Sequence, residues 1–151
     1  MSELHLPGPG VPLPRPTVIS RPFWDGCAQE RLMFQRCTHC GSAVFNPAPM
    51  CRHCGEAELV WEESAGRGTI YSWTVAWRPQ HPAFPTPYAA AIIDLAEGYQ
   101  MLANVGHCRS EDLAVGMAVR VFFVDVGEGM RLPCFAPLTV RETGGSERER
   151  P

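Results

Sequence analysis

Hydrophobic positions along the chain follow a helical period first and a strand period later. Phe23, Trp24, Cys27, Ala28 and Leu32 recur at helical spacing behind Ser20 and Pro22. This predicts a short amphipathic helix with a capping hydroxyl and a proline in its first turn, weakened by Gly26. Short strand-like pieces follow at Leu32–Arg36, Ala43–Asn46 and Leu59–Glu63, and Gly66-Arg67-Gly68 marks a boundary. Five strand candidates then come at the spacing of a small barrel: Thr69–Trp77, Tyr88–Leu95, Tyr99–Val105, Met117–Val126 and Met130–Leu138. The second of these reads as a buried strand. Ser110-Glu111-Asp112-Leu113 forms a capped helical turn between the third and fourth, and Glu97-Gly98 and Gly127-Glu128-Gly129 fit hairpin turns. Pro133 confines the last strand to an edge or a bulge. Five strands with a short helix between the third and fourth follow the order of an OB-fold, a partly open Greek-key barrel.

Proline and charge delimit this structured region. Residues 1–20 carry prolines at 7, 9, 12, 14 and 16, too few backbone donors for a helix or inner strand, and are expected to be a disordered, mobile arm. Residues 141–151 mix charge and glycine without an apolar anchor and are expected to be a disordered tail. Between them, 21–64 reads as a helix with a cysteine-rich module and 65–140 as the barrel.

Of the 151 residues 45% are hydrophobic, enough for small globular cores. No apolar run approaches the roughly 18–20 residues of a membrane span, and no basic-then-apolar leader opens the chain. The 13 cationic side chains are all arginine. Without lysine, Schiff-base and lysine-nucleophile chemistry is excluded. A formal charge of −3 argues against general nucleic-acid binding, which needs cations against phosphate.

Seven cysteines, an odd number, include two C-x-x-C pairs, which favours a metal site in a reducing compartment, the cytoplasm, over a disulfide framework. Cys37-Thr38-His39-Cys40-Gly41 and Cys51-Arg52-His53-Cys54-Gly55 are separated by a ten-residue gap. Two residues between cysteines let both sulfurs of a turn face one ion, and the following glycine lets the backbone turn with positive φ and aim amides at the thiolates. Four thiolates in a tetrahedron suit Zn²⁺; iron held as in rubredoxin and a doubled redox pair are the alternatives. His39 and His53 are expected to point outward. Four cysteine ligands leave no position for water or substrate, so the site is structural, and metal binding supplies the stability that a module of some 40 residues lacks.

Other residues hold open readings. Tyr71, Trp73, Val75 and Trp77 alternate along one strand, either as a stacking platform for a base or adenine or as core filling. The loop Arg78–Pro87 carries four prolines and Phe84, which either meets a partner or acyl chain or folds back on the barrel. His107, Cys108, Cys27 and Cys134 lack an orienting third group and read as structural. No phosphate loop, dinucleotide fingerprint or nucleophile elbow is present.

Taken together, Phe23-Trp24-Asp25-Gly26, the four-cysteine ribbon, Gly66-Arg67-Gly68-Thr69-Ile70-Tyr71-Ser72, Pro87-Tyr88, Asp112–Met117 and Leu132–Pro137 occur in an order that resembles one family. It is the bacterial and archaeal zinc-ribbon/OB-fold family once catalogued as a domain of unknown function, often found beside thiolase-like enzymes. The resemblance covers about residues 21–140. It implies a mainly β fold, with an N-terminal helix and rubredoxin-like zinc ribbon before a five-stranded OB-fold barrel. It also implies a non-catalytic accessory subunit that docks on a thiolase, aldolase, acyltransferase or other lipid-transfer-protein-type acyl-CoA enzyme, in steroid or lipid side-chain degradation, with a MaoC-type hydratase as another partner. Such a subunit would help form the CoA site while the catalytic residues reside on the partner. Cys37, Cys40, Cys51 and Cys54 carry over as zinc ligands. A CoA role asks for cations near phosphate and an apolar path for pantetheine. Arg36, Arg52, Arg67 and Arg78 are the candidate cations, with Trp77 and Phe84 as candidate contacts. A single-strand nucleic-acid binder is the alternative function, and a stand-alone enzyme using His107 and Cys108 is a third.

Overall fold

A computed structural model describes residues 2–138; the expected tail at 141–151 lies outside them. Helix α1 spans Arg21–Ala28 with proline in its first turn and buries Phe23, Gly26 and Cys27. Ser20 does not cap it: the residue is itself helical, and its hydroxyl accepts hydrogen bonds from the Thr17 amide (2.8 Å) and hydroxyl (3.1 Å) instead. Leu32, expected on the helix, lies beyond its end and is buried. A Cβ at Gly26 would strike Met33 Cγ and the Arg31 carbonyl, so the glycine that weakens the helix also lets the chain return against it.

That return leads into a three-stranded antiparallel sheet, β1 (Met33–Cys37), β2 (Ala43–Val44) and β3 (Leu59–Glu63), in the order β2-β1-β3. The buried Gln35 amide donates to the Ala48 carbonyl (3.1 Å) and accepts from its N–H (2.8 Å), fixing the loop between the cysteine pairs. Strands β4 (Arg67–Ala76), β5 (Tyr88–Leu95), β6 (Gln100–Val105), β7 (Ala118–Gly127) and β8 (Met130–Pro137) form a closed barrel in the order β4-β5-β6-β8-β7. A 3₁₀ turn at Ser110–Asp112 stands between β6 and β7, so the expected OB-fold order is the one observed. Closure is narrow: β6 and β8 pair in parallel only at Asn104–Cys134 and Val105–Phe135. Pro133 sits just ahead of that contact, where β8 has no β6 partner, so a strand interior to the barrel tolerates it.

Inward-facing Ala89, Ala91, Ile93 and Leu95 of β5 alternate with half-buried outward residues, and small alanines fit the tight interior beside Ile70, Val105, Val119 and Phe135. The barrel core continues into the ribbon through aromatic rings. Tyr99 stands between Phe34 and Phe45, 5.0 Å from each centroid and nearly parallel to both, while Phe23 meets Phe45 edge-on at 5.6 Å. Alongside, Glu97 accepts from the Ser64 hydroxyl (2.6 Å) and the Ala65 amide (2.8 Å), clamping the link between ribbon and barrel.

The N-terminal segment departs from the expected mobile arm. Glu3 bridges Arg109 in antiparallel fashion, the Leu4 amide donates to the Cys108 carbonyl (3.1 Å), and the His5 amide donates to the Pro87 carbonyl (2.9 Å). Leu4 and Val11 are buried, and Leu6 lies so close to Gly106 that a Cβ there would collide with it. Proline removes donors but leaves an extended backbone whose apolar side chains can still dock, and few backbone bonds are needed to hold it.

The Tyr99 hydroxyl is buried without a hydrogen-bond partner among the described residues, so the ring carries that residue's contribution. Tyr99→Ala should cost about 3–5 kcal/mol. Tyr99→Phe should cost under about 1 kcal/mol, since an unpaired buried hydroxyl contributes little. Urea unfolding of the two variants measures the difference.

Candidate functional site

Cys37 ends β1, and the hairpin to β2 carries Cys40; Cys51 and Cys54 lie in the following loop. Each pair makes the same turn. The Gly41 amide donates to Cys37 O and the Cys37 amide to Ser42 O, while Gly55 N donates to Cys51 O and Cys51 N to Glu56 O, all at 2.8–2.9 Å. Gly41 (φ 77°) and Gly55 (φ 81°) take the left-handed backbone these turns require. A Cβ at either would meet nothing within 4 Å, so conformation rather than space demands glycine. The four Sγ atoms lie within 4.8 Å of one another, with Cys37–Cys54 at 3.6 Å and Cys40–Cys51 at 3.7 Å. Sulfurs about 2.3 Å from a tetrahedral zinc ion stand about 3.8 Å apart, so the cluster fits that ion. The His53 amide points at Cys51 Sγ (3.4 Å), the kind of second contact that steadies a thiolate ligand. His39 and His53 are exposed, as expected.

The remaining thiols are in other surroundings. Burial pushes Cys27 and Cys134 up to about 12 and raises Cys108 as well, with Asp112 and Glu3 adding to that last shift. All three are protonated near neutrality, which does not suit a nucleophile. His107 lies over Phe122, with ring centroids 4.5 Å apart.

The four arginines do not converge. Arg36 donates to Glu62 (2.9 Å) and to the Gly41 carbonyl (2.9 Å) and lies over Phe34, so it braces the ribbon. Arg52 donates to the Phe45 (2.8 Å) and Asn46 (3.3 Å) carbonyls and lines a groove of about 270 Å³ with His53 and Tyr99. Arg67 opens β4, and Arg78 lies beyond its far end; both are exposed. Trp77 is exposed with Trp73 and Tyr71, so these aromatics do not fill the core, although Val75 packs against it. Phe84 folds back, half-buried, toward Tyr88 (6.1 Å) and His81 (5.9 Å).

An apolar cleft of about 370 Å³ between α1, the ribbon loop and the β6–β8 gap was not foreseen. Phe23, Trp24, Phe45, Met101, Leu132 and Pro133 line it, and it shares Phe45 and Asn46 with the Arg52 groove. Its sequence signal was weak: Phe23, Trp24 and Phe45 are large apolar residues in a module too small for a core of its own.

Residues 24–60 match the family described as ChsH2, rubredoxin-like zinc ribbon domain, and residues 61–133 match ChsH2, C-terminal OB-fold domain. The chain belongs to the ChsH2/DUF35 family. A family member from Thermomonospora curvata named "Probable enoyl-CoA hydratase alpha subunit" is 35% identical over 131 residues, which are 85% of this chain and 41% of that one. The chain thus spans less than half the length of that relative. A "DUF35 domain-containing scaffold protein" of Methanocaldococcus jannaschii is 30% identical across 62% of this chain and 67% of its own. The solved "Ltp2-ChsH2(DUF35) aldolase" superposes with a TM-score of 0.77 at 33% identity, covering 83% of this chain and 98% of that one. No helix among the described residues is long and apolar enough to cross a membrane.

Elemental analysis of purified protein should find one zinc per chain. Cys51→Ser should abolish binding and cooperative unfolding of the ribbon, since apparent zinc affinities of ~10–16 kcal/mol act as folding energy. The buried thiols give a pH expectation. Their folded values near 12 exceed the unfolded value of about 8.5, so the unfolded chain releases protons first. Their contribution is therefore full below about pH 8.5 and falls as pH rises toward 12. Urea midpoints should drop over that range, and less steeply in Cys27→Ala than in wild type.

Proposed function

We propose that this chain is an accessory subunit that docks on a thiolase-like acyl-CoA enzyme and completes the wall of that enzyme's CoA or acyl-CoA channel. The observation that carries the reading is the resemblance, at 33% identity over nearly the whole of the solved chain, to a protein whose name joins it to an aldolase. The names of the other relatives, a hydratase alpha subunit and a scaffold protein, point the same way.

The geometry supports a division of roles. Cys37, Cys40, Cys51 and Cys54 hold structural zinc, leaving no coordination position for a reactant. In this reading the cleft beside Phe23 and Phe45 is the apolar path for pantetheine or an acyl group, and Arg52 in the adjoining groove is the cation that meets the CoA phosphates. Arg78, exposed beyond the other end of β4, reaches a partner-bound phosphate in this reading, while Arg36 serves the ribbon. The reacting carbonyl, its nucleophile and its base belong to the partner in this reading. The partner's chemistry likewise sets the acyl group, including the steroid or lipid side chain that the family resemblance suggests. Exposure of Trp73 and Trp77 also favours base stacking, but a net charge of −3 opposes the approach of a nucleic-acid backbone.

Co-expression with a thiolase-type enzyme encoded beside this chain, followed by size-exclusion chromatography, should give a stable complex at defined stoichiometry. Acyl-CoA turnover should require both polypeptides. Consistent separate elution, or full turnover by this chain alone, would contradict the proposal. Micromolar, salt-sensitive binding to an oligonucleotide would favour the other reading.

A further inference from the structure

Beyond Ile70, strand β4 has a free edge. β7 pairs with it only at Arg67, Gly68 and Thr69. The chain before β7 covers one residue more: the Ile70 N–H donates to the Met117 carbonyl (3.0 Å), and the Ile70 carbonyl accepts from the Gly116 N–H (2.7 Å). Past the bulge at Tyr71 only β5 remains alongside, facing Ser72 to Ala76. Residues of an antiparallel strand turn their amide and carbonyl to alternate sides. The Leu95 amide donates across the hairpin to the Tyr99 carbonyl (2.8 Å), so Leu95, and with it Ile93, Ala91 and Ala89, turns toward β6. Trp73 and Val75 stand opposite Ala91 and Ala89 and therefore turn their amides and carbonyls away from β5. No group among the described residues bonds them there. Their side chains lie on the core-facing side of the sheet. Val75 packs against the core, while Trp73 stays 40% exposed and Trp77, two positions on, 60%. An open groove of about 450 Å³ lies against Trp73, Val75 and Trp77.

Proteins blunt a free edge with lysine, proline or charge, and Trp73-Thr74-Val75-Ala76-Trp77 contains none of these. We propose that a second copy of this chain pairs with it, β4 against β4, in an antiparallel dimer. The sequence selects the occupant. Trp73, Val75 and Trp77 read the same in both directions, so a two-fold axis at Val75 sets Val75 opposite its own copy and each Trp73 opposite the other copy's Trp77. By the same alternation all three turn their backbone groups to the edge, which gives about six hydrogen bonds between the copies. Both indole pairs fall on one face, where cross-strand aromatic pairs stabilise a sheet. Thr74 meets Ala76 on the other face, and neither is bulky. Pro79 stops the edge soon after Trp77, so pairing uses up the free groups and closes at two copies. A standard interface buries about 800 Å² of each partner, and one short edge with two partly exposed indoles buries less. The dimer is therefore of micromolar strength. The shared net charge of −3 opposes it only at low salt, where screening is weak. Neither the cleft nor the Arg52 groove takes part, so the dimer stands or falls apart from the accessory role.

Sedimentation velocity across the micromolar range at physiological salt tests the proposal on the full chain. Wild type is compared with Trp73→Lys and Trp77→Lys, both exposed on the edge, and with Leu102→Lys, exposed on β6. Zinc content and circular dichroism serve as folding controls. A concentration-dependent dimer in wild type and Leu102→Lys, at least ten-fold weaker in both tryptophan variants with unchanged controls, is expected. A wild-type chain that stays monomeric throughout would overturn the proposal, as would a dimer that both tryptophan variants keep at full strength. A monomeric chain whose binding to a co-expressed thiolase-type enzyme is weakened by Trp77→Lys would assign the edge to that enzyme and overturn the choice of occupant. Failure to bind any such enzyme, with the dimer intact, would overturn the accessory role alone.

Discussion

The ring of Tyr99, held between Phe34 and Phe45, joins the barrel to a ribbon that could not be stable alone. The ribbon is too small to bury a core, and its cysteines spend their side chains on a metal cluster. Its large apolar residues therefore need a second surface, which the turn before β6 supplies. Glu97 fixes the same junction from the polar side through Ser64 and Ala65. A hydrophobic stack and a charge-assisted clamp side by side set the ribbon's orientation on the barrel as well as its attachment.

That orientation creates the features with functional weight. The cleft exists because α1 and the ribbon loop stand over the place where β6 and β8 barely pair. A fully laddered barrel would close it. The Arg52 groove adjoins it because Arg52 holds the carbonyls of Phe45 and Asn46, residues that line both hollows. The same side chain thus shapes the loop and lends it positive charge.

The N-terminal segment extends this logic to the barrel's other end. Leu4 enters the core and Leu6 covers Gly106, so the segment seals a region near the 3₁₀ turn and the loop after β4. Its residues precede the stretch that the ribbon and barrel family models match, 24–133.

Much of the molecule was legible in the residue pattern. Strand-like runs at the spacing of a small barrel, bounded by turn residues, located all five barrel strands to within two residues at either end, because strand preference and turn chemistry are local properties. The doubled cysteine knuckles declared a metal cluster, since spacing and the following glycine suffice to aim two sulfurs inward. Contacts between residues distant in sequence were not legible. Nothing local pairs Tyr99 with Phe34 and Phe45, and nothing near Leu4 announces Cys108. Whether Trp73 faces core or solvent depends on a bulge at Tyr71 and on β4 outrunning its pairing with β7. Local periodicity is a matter of backbone geometry and can be read one residue at a time. Which apolar faces meet is decided only when every element competes for the same interior, and that decision belongs to the tertiary structure.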